Sequence, residues 1–440
     1  MKILIVGAQP FNENNQYRSL KSYFDSFSPN ELVQIFSDSR IPCKGLCSKL
    51  YQITDKTLIL KRFKKIDDRI YKYEELAEKP NSQELNKKRF RPKKKTGFYR
   101  FLRKRVWNKK YWLTPRLETF IDDFRPNAVF LSWGEDFFLV DVAEFFAKKY
   151  DIPIFVSITD DCYFFDGVRS DGFDLFRKLY LKKYRQRVDA FLKGDVYGFF
   201  VSDKIKRKYQ DYFHIPGVVI PIGSSIEPIW KEPDIDLRNG IYYFGNLEYG
   251  RLKAIEIFAR GLKKYLPSVK IHVFSKDISL EKNEENLILH PAIPYEKVTN
   301  MIRGIPSALL IAESFDEADV ARVRYSLSTK VGDCFCAMKP IICIGGRGAG
   351  AVDFMKEQEC SFVCNDVENM DSFCEGLLAS FQKNASDFLR KQYEIARKTF
   401  DESASALKWR KSAEDFLAVS KTKKEYALKT KVAEMNEEGV

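Results

Sequence analysis

Short apolar stretches, each followed by a polar turn and a helical pattern, recur along this 440-residue chain. The pattern stops once, at a proline-rich and charged connector, E-P-I-W-K-E-P-D-I-D-L-R (227–238), and then starts again. Apolar runs alternating with amphipathic helices predict parallel strands covered by helices, an α/β architecture. Before the connector, strands are expected at 2–7, 32–36, 57–60, 128–131, 153–158, 197–201 and 218–221. After it they are expected at 240–244, 270–274, 287–290, 308–311, 341–344 and 362–363. A charged helix is expected at 66–79. Helices at 370–382, 388–399 and 404–419 precede a polar tail, 420–440, expected to be mobile. The length suits two domains or more, each able to bury a full core.

Hydrophobic residues make up 45% of the chain and aromatics 14%, which excludes a disordered protein. No apolar run approaches the roughly 20 residues of a membrane span. The opening M-K-I-L-I-V-G turns polar too quickly for a signal peptide and reads as a first strand. The nine cysteines are odd in number and sit mostly in apolar runs, as reduced core thiols of a cytosolic protein do. The three histidines, His214, His272 and His290, are read as structural, which argues against a His-based metal site or a Ser-His-Asp triad.

Net charge is +13, and residues 87–110 alone hold thirteen Lys or Arg and no acid. Phe98, Phe101, Leu102 and Val106 recur there at helical spacing between the cations. A basic amphipathic helix with aromatics suits an anionic membrane surface. A solvated insertion ranks second and nucleic-acid stacking third, so nucleic acid is not the expected partner.

Chemistry is expected at the ends of strands. The stretch R-Y-S-L-S-T-K-V-G-D-C-F-C-A-M-K-P-I-I-C-I (324–344) reads as a loop, a helix and a buried strand. Ser326, Ser328 and Thr329 offer N-caps. Lys330 lies in the first helical turn, a poor place for a cation unless an anion shares it. Asp333 lies one turn on, so a surface Lys–Asp pair is the competing reading. A second loop, G-N-L-E-Y-G-R (245–251), brings Gly245, Asn246 and Arg251 to another helix start. In the first half, strands end in Glu135-Asp136 and in Thr159-Asp160-Asp161, where general bases or helix caps belong. The cluster at 345–350 departs from G-x-G-x-x-G, and no G-x-x-x-x-G-K-[ST] exists, which sets aside classical dinucleotide and P-loop sites.

Three of these stretches resemble a known family. G-N-L-E-Y-G-R is similar to the first nucleotide-domain loop of GT-B glycosyltransferases of retaining family 4. S-L-S-T-K-V-G-D-C-F-C-A-M-K-P-I-I (326–342) is similar to their signature helix. V-S-D (201–203) with I-P-I-G-S-S (220–225) is similar to the end of their first domain. The resemblance implies two Rossmann-like βαβ domains facing across a cleft, with a C-terminal helix crossing back to the first. It divides the chain into an acceptor domain (1–225) carrying the basic insertion, a nucleotide-sugar-binding domain (226–400), a returning helix (401–419) and the tail.

It further implies a metal-independent transfer of a hexosyl or other glycosyl group from a nucleotide-sugar, with retention, and no other cofactor. The acceptor would be lipid-linked or a polysaccharide, and the enzyme cytoplasmic, peripheral at the inner membrane face. Arg251 and Lys330 would hold the diphosphate and do most of the catalysis, supported by Ser328 and Thr329. Asp333 would take the ribose hydroxyls, and Gly245 and Asn246 would border the donor. Asp160 falls near the family's His-Asp. With inversion instead, Glu135, Asp136 or Asp160 would be the base. Tyr325 stands where the family has its first Glu, Asp333 where it has the second, and Met338 replaces a Gly. The alternative is a non-catalytic polyanion- or nucleic-acid-binding protein on a degenerate GT-B fold.

Overall fold

A computed structural model describes residues 1–10, 18–76, 97–134, 136–164, 175–230, 235–276 and 284–437. The strands form two sheets. The first contains β1 (Ile3–Gly7), β2 (Leu32–Phe36), β3 (Lys49–Gln52), β4 (Arg69–Lys72), β5 (Ala128–Ser132), β6 (Ile154–Ile158), β7 (Val196–Phe200) and β8 (Gly217–Val219). The second contains β9 (Ile241–Phe244), β10 (Ile271–Ser275), β11 (Leu287–Pro291), β12 (Ala308–Ala312), β13 (Ile341–Ile344) and β14 (Phe362–Cys364).

The first sheet runs β4-β3-β2-β1-β5-β6-β7-β8 and the second β11-β10-β9-β12-β13-β14. Every neighbouring pair is parallel except β3 with β4. Strands β1, β2, β6 and β12 are buried along their whole length, as strands covered on both faces must be. In each sheet the order reverses once, between β1 and β5 and between β9 and β12. A crevice opens at the carboxyl end of such a reversal, because the two connections leave in opposite directions.

The last helix, Glu402–Glu437, returns to the first sheet. Asp401 caps it by accepting from the Ala404 N–H, and Ser224 N–H donates to Phe400 O where the chain crosses. Trp409 is fully buried and packs among Tyr23, Phe24, Phe27, Phe130, Phe155 and Phe199. Arg410 adds an ion pair to Glu31 at 3.1 Å. Removing a buried indole of this kind costs about 3–5 kcal/mol, so the crossing helix is part of the first core.

Four expectations are corrected. Residues 57–60 are helical, within Asp55–Leu60, because Thr54 and Thr57 form a reciprocal cap that starts a helix ahead of the L-I-L run. The neighbouring strand is Lys49–Gln52 instead. The helix expected at 66–79 is replaced by β4, which pairs antiparallel with β3 (Leu50 opposite Tyr71), and by a short 3-10 turn at 73–75. Sheet pairing overrides local preference there, and 77–79 lie outside the described residues. Helices 370–382 and 388–399 are one helix, Met370–Ile395, followed by a wide turn. The closing helix does not stop at 419 but continues to Glu437, through a stretch rich in Lys, Glu and Ala.

Candidate functional site

The reversal of the second sheet places the ends of β9 and β12 side by side. After β9 the chain turns through Gly245 and Asn246 to Gly250, in the left-handed region, and enters the helix Arg251–Tyr265. After β12 it delivers Glu313, which is 3% exposed. The Arg251 guanidinium is also buried. Its Nε donates to Glu313 Oε2 at 3.0 Å, its Nη2 lies 2.9 Å from the same oxygen in the ion pair, and its Nη1 donates to Asn246 Oδ1 at 2.6 Å. Burial pushes the Glu313 carboxyl up, against the pull of Arg251 and Lys330.

The third arm is the helix Thr329–Cys336. Its Lys330 lies across the β9 turn. Nζ donates to Tyr243 Oη at 2.8 Å, and Tyr243 in turn donates to Asn246 O at 2.6 Å. A Cβ on Gly245, whose φ is +150°, would stand 2.2 Å from Lys330 Nζ. Only glycine leaves room for this ammonium. Burial and the neighbouring Arg251 cation lower the Lys330 pKa to about 8, with Glu313 pulling the other way. Two cations, one carboxylate and the N-terminal ends of two helices thus converge at the carboxyl edge of the sheet. Such a group stabilises an anion with fixed donors in a water-poor setting.

Asp333 takes another direction. It is 7% exposed, and its Oδ1 accepts from Ser224 Oγ at 2.7 Å and Tyr295 Oη at 2.9 Å. The surface Lys330–Asp333 pair is therefore not formed, and Val331 to Cys336 are all buried. Ser328 occupies the N-cap position without a side-chain cap bond, so the N-terminal N–H groups of this helix are not closed by it. Ser326, also a cap candidate, donates instead to Asp160 Oδ1 at 2.6 Å, across to the first sheet. Ser202 Oγ donates to Tyr325 O at 3.2 Å, and Lys204 Nζ to Gly348 O at 3.1 Å and to Asp353. The loop leading to Lys330 is thus laid on the carboxyl edge of β6 and β7.

The first-domain acids separate by role. Asp161, not Asp160, makes the ordinary turn bonds, accepting from the N–H groups of Tyr163 and Phe164 and from Tyr209 Oη. Asp136 is not brought to the Lys330 group. It accepts from Arg103 Nη1 at 2.6 Å, and Arg103 also pairs with Asp55, which accepts from Trp107 Nε1. Glu135 lies outside the described residues. Glu313 was missed in the sequence, although the run L-L-I-A-E-S carries the same signal, an apolar strand ending in an acid, that picked out Asp160.

Of the basic segment, 87–96 lie outside the described residues. The rest contains the helix Gly97–Val106, whose Phe98 and Phe101 meet Phe176 of the helix Leu175–Leu192, and the start of a short helix at Lys109–Trp112. Among the described residues, no helix is long and apolar enough to cross a membrane, and no three His, Cys, Asp or Glu side chains are grouped to hold a metal ion.

No family model matches the chain, and no curated protein matches it in sequence. Solved structures do match. HepE of Anabaena in complex with UDP superposes with a TM-score of 0.58 at 11% identity, covering 94% of this chain and 100% of that one. The sucrose-phosphate synthase of Thermosynechococcus elongatus gives 0.60 at 8% identity, over 95% and 100%. WaaG, a glycosyltransferase involved in lipopolysaccharide biosynthesis, gives 0.52 at 10%, over 93% and 98%. These three have the two-domain GT-B fold, and GT-B is the fold of this chain.

Proposed function

We propose that the chain is a glycosyltransferase that moves a sugar from a nucleotide-sugar donor to an acceptor. The observation that carries this reading is the Arg251–Glu313–Lys330 group, with Lys330 packed over Gly245 at the reversal of the second sheet. The HepE structure, similar in fold, holds UDP.

In this reading Arg251 and Lys330 take the donor diphosphate. As the bond from anomeric carbon to phosphate oxygen breaks, negative charge grows on the leaving diphosphate, and the two cations and the Thr329–Cys336 helix start stabilise it without a metal. Glu313 holds the Arg251 fork in place, so the guanidinium needs little reorganisation. Gly245 and Asn246 border the same space, with Ser328 and Thr329 at the helix start. A ribose diol at Asp333 would displace Tyr295 from Oδ1. Asp160, beside Ser326, lies on the acceptor side of the loop, and retention remains the expected outcome. Binding of nucleoside diphosphates, measured by calorimetry across the common bases, tests the reading. It fails if none binds more tightly than about 1 mM.

The acceptor is proposed to be lipid-linked or a polysaccharide, handled at an anionic membrane surface. Phe98, Leu102, Leu175, Phe176 and Leu179 are exposed together on two packed helices, with Lys104, Arg105, Lys178 and Lys182 exposed on the same elements. Apolar side chains rimmed by cations suit the headgroup layer. Flotation with anionic vesicles should carry the protein upward. Equal behaviour with neutral vesicles removes the electrostatic part of this proposal.

A further inference from the structure

Tyr243 lies one residue from the end of β9 and is fully buried. Its ring belongs to the apolar core of the second domain, with Ile241 and Val273, and phenylalanine would fill the same space. The hydroxyl is what needs a reason, since a buried phenol must find polar partners. It stands between two of them, accepting from Lys330 Nζ at 2.8 Å and donating to Asn246 O at 2.6 Å. The Lys330 ammonium also lies 4.5 Å from the centre of the same ring.

Asn246 carries the connection onward. Its side chain is exposed, and its Oδ1 accepts from Arg251 Nη1 at 2.6 Å. One residue therefore serves both cations, Lys330 through its backbone oxygen and Tyr243, and Arg251 through its side-chain oxygen. The cations arrive on different helices, Thr329–Cys336 and Arg251–Tyr265, and they repel each other. Glu313 pairs with Arg251, whereas Lys330 has no carboxylate at ion-pair distance among the described residues. Without the Tyr243 hydroxyl, Lys330 would keep the repulsion and lose the acceptor that offsets it.

We propose that Tyr243 is a positioning residue of the donor site, its hydroxyl joining Lys330 to Asn246 and, through Asn246, to Arg251, so that both cations meet the diphosphate at one fixed spacing. The proposal rests on the nucleotide-sugar reading of this group. Three other groups face Lys330: Arg251 from its helix start, Glu313 after β12, and Cys334 one turn along the helix of Lys330 itself. Burial pushes the Cys334 thiol up, which keeps it neutral. An acceptor in contact with an ammonium favours its charged form. Removing the Tyr243 hydroxyl therefore lowers the Lys330 pKa below its present value of about 8, and the cation is lost at a lower pH.

The test is calorimetric titration of the wild type, Tyr243→Phe and Asn246→Ala from pH 6 to 9. The probe is UDP, the nucleotide held by HepE, or the diphosphate of another base where that binds more tightly. The nucleotide ionises alike in all three titrations, so ratios of affinity report on the protein. The ratio of wild-type to Tyr243→Phe affinity should grow by up to about tenfold between pH 6 and 9, as a further lowering of about one in the Lys330 pKa requires. A tyrosine that merely fills the core would alter thermal unfolding and give the same ratio at every pH. Asn246→Ala leaves its backbone oxygen to Tyr243, so its ratio should be flat, with affinity lowered roughly three- to tenfold throughout. If Tyr243→Phe does not fold, Asn246→Ala still decides, because that side chain is exposed. A pH-independent ratio for Tyr243→Phe, or unaltered affinity in Asn246→Ala, overturns the proposal and leaves the donor site standing. If the wild type binds none of the common nucleoside diphosphates, the nucleotide reading falls and this proposal with it.

Discussion

Two sets of cations invite comparison. Residues 87–110 are conspicuous by number, with thirteen Lys or Arg, while Arg251 and Lys330 are two cations among many in the second half. The structure reverses their weight. Where the basic segment is described, Lys104 and Arg105 are exposed, and Arg103 turns inward to Asp55 and Asp136. Arg251 is buried against Glu313, and Lys330 is packed over Gly245 and Tyr243. A charge in water is screened within about 8–10 Å, whereas a desolvated one acts at several times the strength. The number of charges therefore predicts long-range attraction to a surface, and burial predicts where a single charge can do chemistry.

The largest expected effect lies at the buried pair. Lys330→Ala should lower turnover by about 10²–10³-fold, as removal of one preorganised donor does, with the folded structure retained in circular dichroism. Turnover at the wild-type level would break the comparison outright. Next comes Arg103 of the basic helix, paired with two carboxylates. Arg103→Ala leaves Asp55 and Asp136 without their shared partner and should destabilise the protein by about 1–3 kcal/mol in chemical denaturation. Lys104→Ala, on the same helix but exposed, should stay within about 0.5 kcal/mol. If the two variants unfold alike, burial does not separate these cations.

A pH titration sharpens the contrast further. A diphosphate prefers protonated Lys330, whose pKa is lowered to about 8. Its affinity should therefore fall as pH rises through about 8, by up to tenfold per unit until the bound form also loses its proton. Stability of the free protein has the opposite sign. Between about 8 and the ordinary lysine value the folded protein binds fewer protons than the unfolded chain, so stability rises with pH there. Calorimetry of diphosphate binding from pH 7 to 10 reads the first, and a flat profile contradicts the assignment of Lys330. The smallest effect belongs to Tyr295→Phe. If a ribose diol displaces the Tyr295 hydroxyl from Asp333, losing that competitor should tighten nucleotide binding by roughly two- to tenfold. Weaker binding would mean that Tyr295 itself holds the ligand.

Much of the fold could be read from the chain. β1, β2, β5 to β7 and β9 to β14 were all expected near their observed places, because each is carried by a short apolar run, most plainly where the strand is buried along its whole length. The failures share a cause. Lys49–Gln52 and Arg69–Lys72 are short strands toward one edge of the first sheet, specified by pairing with each other and not by an apolar run. Residues 57–60 were apolar enough for a strand, but the Thr54–Thr57 cap starts a helix there. At the site, Arg251, Lys330 and Gly245 were legible because a cation or a glycine at a helix start is locally unusual. Glu313 ends an apolar strand as Asp160 does and could have been found by that signal, whereas Tyr295 could not, since a tyrosine in a helix is ordinary until a neighbour is known.

By itself, then, the sequence determined the periodicities: two α/β units, one connector, and the loops where anion-seeking residues cluster. These follow from nearest-neighbour geometry, which the chain carries in its spacing. The tertiary structure alone decided the partners. It set Glu313 against Arg251, drew Asp333 to Ser224 and Tyr295 instead of Lys330, and turned Arg103 inward. Each of these depends on the order of the strands in a sheet and on how deeply a charge is buried, and neither quantity is local in sequence.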